Sequence, residues 1–177
     1  KKRIDFFLKN FKDVENIILD IGCLDGFIGN LLLTNERSVL GIDLSIEALK
    51  NAKEKNLDVL LSDVESKSLP FKDSSFDGVL AGEIIEHLFD TDRFLQEVFR
   101  ILKPNGTLIL TTPNFVSLLN RVSILFGKQR GMMYSMHQPN GSGGHIRGFT
   151  FLTLSTLLQE NGFLVEQTAS NIVYLPF

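Results

Sequence analysis

Short runs of apolar residues alternate with helix-like segments along this chain, and no other feature restricts its fold as strongly. Five runs rich in Ile, Leu and Val predict strands, at residues 17–21, 38–42, 58–61, 76–81 and 107–111. Helical patterns are predicted at residues 27–34, 46–55 and 91–102. Runs that are apolar on both faces are typical of buried parallel strands. The alternation therefore predicts an open three-layer α/β sheet with right-handed crossovers.

Size and charge exclude several classes of protein. The 177 residues suit one domain, and 44% of them are hydrophobic. A net charge of −3 offers no basic surface for nucleic acid, and we interpret the basic start, Lys1 to Arg3, as a solvated terminus. No apolar run approaches the roughly 18 residues that a membrane span needs, and the single cysteine, Cys23, cannot form an internal disulfide. We therefore expect a cytoplasmic protein without a nucleic-acid partner.

The first predicted strand runs into a glycine-rich turn, ILDIGCLDGFIG. Gly22, Gly26 and Gly29 provide a tight turn, backbone room for a ligand and close packing of the following helix. A dinucleotide-binding turn, G-x-G-x-x-G, would need glycine at position 24, where Leu24 stands. An S-adenosylmethionine site typically has an acidic residue followed by three alternating glycines. Asp20, Gly22 and Gly26 match this pattern, but position 24 again lacks the middle glycine. The turn alone leaves both cofactors open.

Acidic residues follow the next two predicted strands. Asp43, in LGIDLS, can accept hydrogen bonds from both ribose hydroxyls of either cofactor. Asp63, in LLSDVE, and the backbone N–H of Val64 can contact the edge of an adenine. This combination is much less common and favours S-adenosylmethionine.

With LPFKDSSFDGVLAGEIIEHL added, the chain resembles class I S-adenosylmethionine-dependent methyltransferases of the small-molecule type, similar to those of ubiquinone, menaquinone and methionine biosynthesis. ILDIGCLDGFIG, GIDLS, the Asp63-Val64 pair, FDGVLAGEIIEHL and ILKPNGTLILTTPN agree with the family in order and spacing. The resemblance implies a Rossmann-like αβα sandwich with a mostly parallel sheet, and methyl transfer from S-adenosylmethionine to a small-molecule acceptor. The family's sheet normally closes with an antiparallel hairpin. Residues 171–177 are short for its final strand, so we expect that strand to be incomplete and the chain to be part of a longer one.

The resemblance also implies where the cofactor binds. It places Asp20 and Gly22 at the methionyl end, Asp43 at the ribose, Asp63 with Val64 at the adenine, and Cys23, Gly26, Leu44 and Glu83 as further contacts. Leu24 departs from the family's pattern. We expect binding to persist provided that Leu24 keeps an ordinary backbone conformation.

Methyl transfer from a sulfonium is an in-line displacement, so the protein mainly aligns donor and acceptor and removes a proton from a hydroxyl acceptor. Glu86 and His87 follow the fourth strand, and His145 belongs to the later segment GGHIRGFTF, which also resembles the family. Histidine is the natural base near neutral pH. The Asn-Pro-Pro-aromatic turn typical of nitrogen methylation is missing, because residues 81–84 read AGEI. We therefore disfavour methylation of a DNA base. We expect an oxygen acceptor, with Glu86, His87 and His145 as candidate catalytic residues and either histidine as the base.

The spacing E-x-x-E-H also resembles divalent-metal motifs of some O-methyltransferase branches, with His145 completing the site. The alternative is that Glu83 contacts cofactor or solvent, Glu86 caps a helix and His87 packs beneath a lid. We favour the alternative and predict no metal ligands.

Residues 114–148 interrupt the strand–helix pattern with three Met and several Gly, and predict a lid-like insertion within the single domain. Its Phe and Met residues either line an apolar acceptor pocket or, as we favour, pack the insertion onto the core. Arg147 either pairs with an acidic acceptor or ties the lid to Glu83 or Glu86. A last helix is predicted at residues 150–161, followed by a strand near residues 163–167.

Two other functions remain open at this point. A module that binds the cofactor without catalysis would bind it and turn over no acceptor. A nicotinamide oxidoreductase is disfavoured by Leu24 and Asp63.

Overall fold

The computed structural model describes residues 2–14, 16–66, 68–127 and 144–169. Its centre is a five-stranded sheet in the order β3-β2-β1-β4-β5. The strands are β1 (Asn16–Ile21), β2 (Arg37–Asp43), β3 (Asp58–Leu61), β4 (Phe76–Gly82) and β5 (Leu102–Thr111). All four pairings are parallel, and Ile18 of β1 lies between Val39 of β2 and Gly78 of β4. The predicted parallel α/β sheet is confirmed.

Helices cover both faces of this sheet. They are α1 (Lys2–Asn10), α2 (Phe27–Leu32), α3 (Ile46–Glu54), α4 (Thr91–Ile101), α5 (Leu118–Leu125) and α6 (Phe151–Glu160). One buried cluster contains Leu32 of α2 and Ala52 of α3, and a second contains Phe94 and Val98 of α4. The three-layer arrangement is therefore as predicted. Within the described ranges, no helix is long and apolar enough to cross a bilayer.

The order of the strands in the sheet shows where a ligand crevice lies. The chain leaves β1 towards β2 and β3 on one side and returns to β4 and β5 on the other. Ligands of open α/β sheets bind beyond the carboxyl ends of the strands at this reversal of order. The crevice therefore lies between the turn that follows β1 and the segment that follows β4.

Several elements differ from the sequence-based expectations, among them α5, which forms within the predicted insertion. The amino terminus forms α1, which the sequence analysis did not predict, and Phe7 and Phe11 bury its apolar side. β5 begins at Leu102, which pairs with Phe76, and the register shifts before Thr107 pairs with Gly78. The fifth strand, predicted at residues 107–111, thus begins five residues earlier and contains an irregularity.

The prediction of a strand near residues 163–167 is wrong. Across the described residues, β5 is the edge of the sheet, and the segment 163–167 does not pair with it. Phe163 instead donates its N–H to the oxygen of Leu158, 3.0 Å away, and its ring packs edge-on against Phe99. The final strand expected at residues 171–177, and residues 128–143 of the predicted lid, lie outside the described residues.

Candidate functional site

The turn after β1 is pinned to the end of β2. The N–H groups of Gly22 and Cys23 both donate to the oxygen of Ile42, at 2.8 and 3.1 Å. Gly22 has a φ of +69°, and a Cβ there would lie 2.3 Å from Cδ1 of Ile84, in the segment after β4. Gly26 is also left-handed, with a φ of +72°. Both positions therefore require glycine, as the sequence pattern indicated.

Leu24 lies in this turn with a φ of +48°, so the condition of an ordinary backbone conformation is not met. Its N–H donates to Oδ2 of Asp43, 3.0 Å away, and Oδ1 of Asp43 accepts from the N–H of Ser45 at 2.8 Å. The hydrogen bond to Asp43 holds Leu24 in a conformation that glycine adopts without strain.

Replacing Leu24 with glycine is expected to stabilise the protein by about 0.5 kcal/mol, because relief of left-handed strain exceeds the entropic cost of glycine. The Leu24 side chain is 65% exposed, so little buried contact is lost. Leu24→Val is the matched comparison, since its branched Cβ tolerates positive φ poorly, and we expect it to cost about 1 kcal/mol. Urea unfolding measures both changes. A glycine variant less stable than the valine variant would contradict this account.

Asp20 is buried at the end of β1, with 3% of its surface exposed. Its Oδ2 has no hydrogen-bond partner among the described residues. Burial raises the pKa of Asp20 to about 7, with the N–H of Gly29 opposing the shift and the charge of Asp43 adding to it. A buried carboxylate oxygen without a partner suits a cationic ligand group.

A cavity of about 310 Å³ opens beside Asp20. Its walls include Arg3, Ile4 and Phe7 of α1, together with Asp20, Gly22, Cys23, Leu24 and Gly82. Among the described residues that line it, Arg3 carries the only positive charge. Nη1 of Arg3 lies 3.5 Å from Oε1 of Glu83, which follows β4 with a φ of +57°.

The interpretation of Arg3 as part of a solvated terminus is therefore incomplete, because its exposed side chain also pairs with Glu83. The signal that sequence reasoning missed is the apolar spacing of Phe7 and Phe11, four residues apart, which fits a helix packed on the sheet. That packing brings Arg3 over the crevice.

Two other predicted cofactor contacts, Leu44 and Cys23, differ in their exposure to solvent. Leu44 is 64% exposed directly after Asp43, at the carboxyl edge of the sheet. Cys23 is buried, and a Cβ at Gly41 would lie 2.6 Å from its Sγ. Burial raises the pKa of the Cys23 thiol to about 12, so this side chain is a packing group rather than a nucleophile.

The predicted adenine contacts form a short loop after β3. Asp63 is exposed, and its Oδ1 accepts from the N–H of Glu65 at 2.8 Å. The N–H of Ser66 donates to the oxygen of Asp63 at 3.1 Å. Val64 is partly buried against the core. The loop therefore stands at the carboxyl edge, in line with Asp43.

The three candidate catalytic side chains come together beyond β4. A single turn of 3-10 helix, Ile85–His87, carries Glu86 and His87. Glu86 is 1% exposed, and its Oε1 lies 3.8 Å from Nε2 of His145. The imidazole rings of His87 and His145 meet edge to face, with centroids 4.8 Å apart. Sequence reasoning named all three residues, and the fold brings residues 59 positions apart into contact.

Burial sets the charge state of this cluster. It raises the pKa of Glu86, partly offset by the nearby Thr112 hydroxyl. Burial and the adjacent His87 lower the pKa of His145, against the opposing charge of Glu83. Neither carboxylate oxygen of Glu86 has a well-aligned hydrogen-bond donor within the described part of the chain. The cluster therefore favours a neutral imidazole beside a buried carboxyl group.

Glu86, His87 and His145 each offer one metal-ligand atom, and these atoms lie within 4.8 Å of one another. Carboxylate and imidazole ligands suit several divalent ions. Glu83, the first residue of the E-x-x-E-H spacing, lies outside this group, because the helix begins at Ile85 and Glu83 pairs with Arg3. The predicted capping role of Glu86 is also wrong, since α4 is capped by Asp90.

Arg147 holds the later segment against the 3-10 turn. Its Nε donates to the oxygen of Leu88 at 3.0 Å, and its Nη2 donates to the oxygen of Phe89. The N–H groups of Ile146 and Arg147 donate to the oxygen of Glu86, at 2.9 and 3.2 Å. Arg147 thus ties the two segments together, through backbone oxygens rather than the carboxylates that the sequence analysis considered.

Comparison with known proteins gives a consistent family. Residues 19–110, more than half of the chain, match the family model described as a methyltransferase domain. The chain is 32% identical to the mitochondrial ubiquinone biosynthesis O-methyltransferase of Bos taurus and 33% identical to that of Homo sapiens, each over 168 residues. Each alignment covers 90% of this chain and 44% of the relative. The chain thus spans less than half the length of these relatives.

Solved structures agree on the fold. A protein of Bacillus halodurans superposes with a TM-score of 0.73 at 19% identity, covering 94% of this chain and 71% of that one. An S-adenosylmethionine-dependent methyltransferase of Methanosarcina mazei gives 0.65 at 26% identity, covering 88% and 82%. The [4+2]-cyclase SpnF gives 0.68 at 22% identity, covering 91% and 57%. Because one fold carries these different reactions, the reaction must be argued from the site.

Proposed function

Because this chain belongs to the family of S-adenosylmethionine-dependent methyltransferases, we propose that it transfers the methyl group to an oxygen atom of a small-molecule acceptor. One observation carries the choice of oxygen. The buried Glu86 and the partly buried His145 form a base-like pair, and Glu86 lies three residues beyond Glu83, whose partner Arg3 lines the cofactor cavity. A hydroxyl acceptor must lose a proton, and such a pair can take it.

The cavity suits the zwitterionic end of S-adenosylmethionine. The buried, unpartnered Oδ2 of Asp20 would accept from the α-ammonium group. Arg3 would leave Glu83 and pair with the α-carboxylate, because no other lining residue among those described is positive. Asp43 and Asp63 would accept from the ribose hydroxyls and the adenine amine, as the resemblance implies.

The proton would pass from the acceptor hydroxyl to His145. Nε2 of His145 faces Glu86, which leaves Nδ1 to receive the proton. A neutral imidazole can accept it, and the imidazolium that forms is stabilised by the adjacent carboxylate. The acceptor oxygen then displaces the sulfonium in line, forming a C–O bond to the methyl carbon and releasing S-adenosylhomocysteine.

A divalent ion is an alternative means of activating the same hydroxyl. Glu86, His87 and His145 have a suitable donor set and spacing for it. When bound, the ion would lower the pKa of the acceptor hydroxyl by direct coordination. Chelation therefore distinguishes a metal-dependent enzyme from one that relies on the histidine alone.

The cofactor half of the proposal is tested with Asp43→Ala. We expect S-adenosylhomocysteine to bind the variant about 30-fold more weakly, because hydrogen bonds to a charged group are lost. The turn would also lose the acceptor for the Leu24 N–H. Isothermal titration measures the change, with Asp58→Ala at the opposite end of the sheet as the control. Equal affinities for both variants would refute the assigned ribose contact.

The acceptor half is tested by the formation of S-adenosylhomocysteine. Phenols and catechols are offered beside amines of matching shape, and hydroxyl acceptors should support turnover where the amines do not. Binding of the cofactor without turnover on any acceptor would instead favour a non-catalytic module.

A further inference from the structure

One side chain joins the adenine loop, residues 63–66, to the segment that carries the candidate base. Oε1 of Glu65 accepts from the backbone N–H of Phe89 at 2.7 Å. The N–H of the same Glu65 donates to Oδ1 of Asp63 at 2.8 Å. Glu65 therefore contacts both the residue assigned to the adenine and the chain just beyond His87.

Arg93 of α4 fixes the adenine loop from its other side. Its Nη2 donates to the oxygen of Glu65 at 2.6 Å, and its Nη1 donates to the oxygen of Ser66. The loop is thus held to the first turn of α4, in which Arg93 lies only four residues after Phe89. These bonds limit how far Glu65 can move independently of Phe89.

From Phe89 the hydrogen bonds continue towards His145. Phe89 accepts from Nη2 of Arg147 through its backbone oxygen, and the N–H of Arg147 donates to the oxygen of Glu86 at 3.2 Å. Arg147 is two residues from His145. A series of hydrogen bonds therefore runs from Asp63 through Glu65 and Phe89 to Arg147, and the backbone joins Arg147 to His145.

We propose that Glu65 is a positioning residue that couples occupancy of the adenine site to the placement of His145. The inference rests on the proposed function, which places adenine at Asp63 and the acceptor at His145. A ligand that restrains Asp63 restrains Glu65, and through Phe89 and Arg147 it restricts the positions open to His145. Such coupling is reciprocal, so order at the acceptor site also strengthens adenine binding.

The experiment uses adenosine as the probe, since it lacks the methionyl end of the cofactor. NMR follows the imidazole signals of the three histidines, with His145 assigned by its loss in His145→Gln. Glu65→Ala removes the acceptor for the Phe89 N–H, whereas Glu65→Gln keeps an oxygen there. Glu54→Ala, an exposed glutamate on α3, is the matched control.

We expect saturating adenosine to shift the His145 signals in the wild type, in Glu65→Gln and in Glu54→Ala. Glu65→Ala should bind adenosine within about five-fold of the wild-type affinity, because only one hydrogen bond is lost. In this variant the shift of the His145 signals should be largely lost. A full shift in Glu65→Ala, or no shift in a wild type that binds adenosine, would overturn the coupling alone. A wild type that binds neither adenosine nor S-adenosylhomocysteine would overturn both the coupling and the proposed function.

Discussion

His145→Ala is expected to lower turnover of a hydroxyl acceptor by about 100- to 10,000-fold, the contribution of a positioned general base. Its affinity for S-adenosylhomocysteine should stay close to that of the wild type, because the cofactor cavity is lined by other residues. Steady-state kinetics and isothermal titration on the same preparations measure the two effects. His87→Ala is the comparison, since His87 touches His145 without approaching Glu86 as an ion-pair partner.

Equal losses of turnover and cofactor affinity would contradict a role for His145 as the base and indicate a structural one. Chelation then separates the two chemistries of the cluster. Turnover that survives EDTA supports proton transfer to the imidazole. Turnover that EDTA abolishes and Mg²⁺ or Mn²⁺ restores supports a metal ion held by Glu86, His87 and His145.

Asp20→Asn is expected to change stability and binding in opposite directions. Burial raises the pKa of Asp20 in the folded protein to about 7, from an ordinary value of 3.8. Between these values the folded state binds more protons than the unfolded state, so the free energy of unfolding falls as pH rises through this window. Asparagine cannot ionise, and at pH 8 the variant should be more stable, by at most about 4 kcal/mol.

The same substitution should weaken S-adenosylmethionine binding by about 100-fold, because a charge-assisted contact with the α-ammonium group becomes a neutral one. In the wild type, affinity should fall as pH drops below 7, since Asp20 must release its proton before it pairs with the ammonium. Denaturant unfolding at pH 5 and pH 8, and titrations at the same pH values, measure these effects. A stability difference between wild type and variant that does not change with pH would contradict the assigned pKa.

The sequence alone predicted the five strands of the sheet and the helices α2, α3, α4 and α6 in their order along the chain, because periodicity follows from local side-chain patterns. The sequence also located the glycines of the first turn. Gly22 and Gly26 adopt left-handed conformations, which glycine reaches with little strain and other residues do not. Asp20, Asp43 and Asp63 were predictable because each follows an apolar run, and parallel strands bring their carboxyl ends to one edge.

Only the tertiary structure decided how distant groups meet. Leu24 adopts its left-handed conformation because Asp43, 19 residues away, accepts its N–H. Arg3 reaches Glu83 because α1 packs across the sheet, and His145 reaches Glu86 because backbone hydrogen bonds hold its segment there. The periodicity of the sequence shows which face of a helix or strand is apolar. These contacts depend instead on how separate helices and strands pack together, which is decided by the packing of the whole chain.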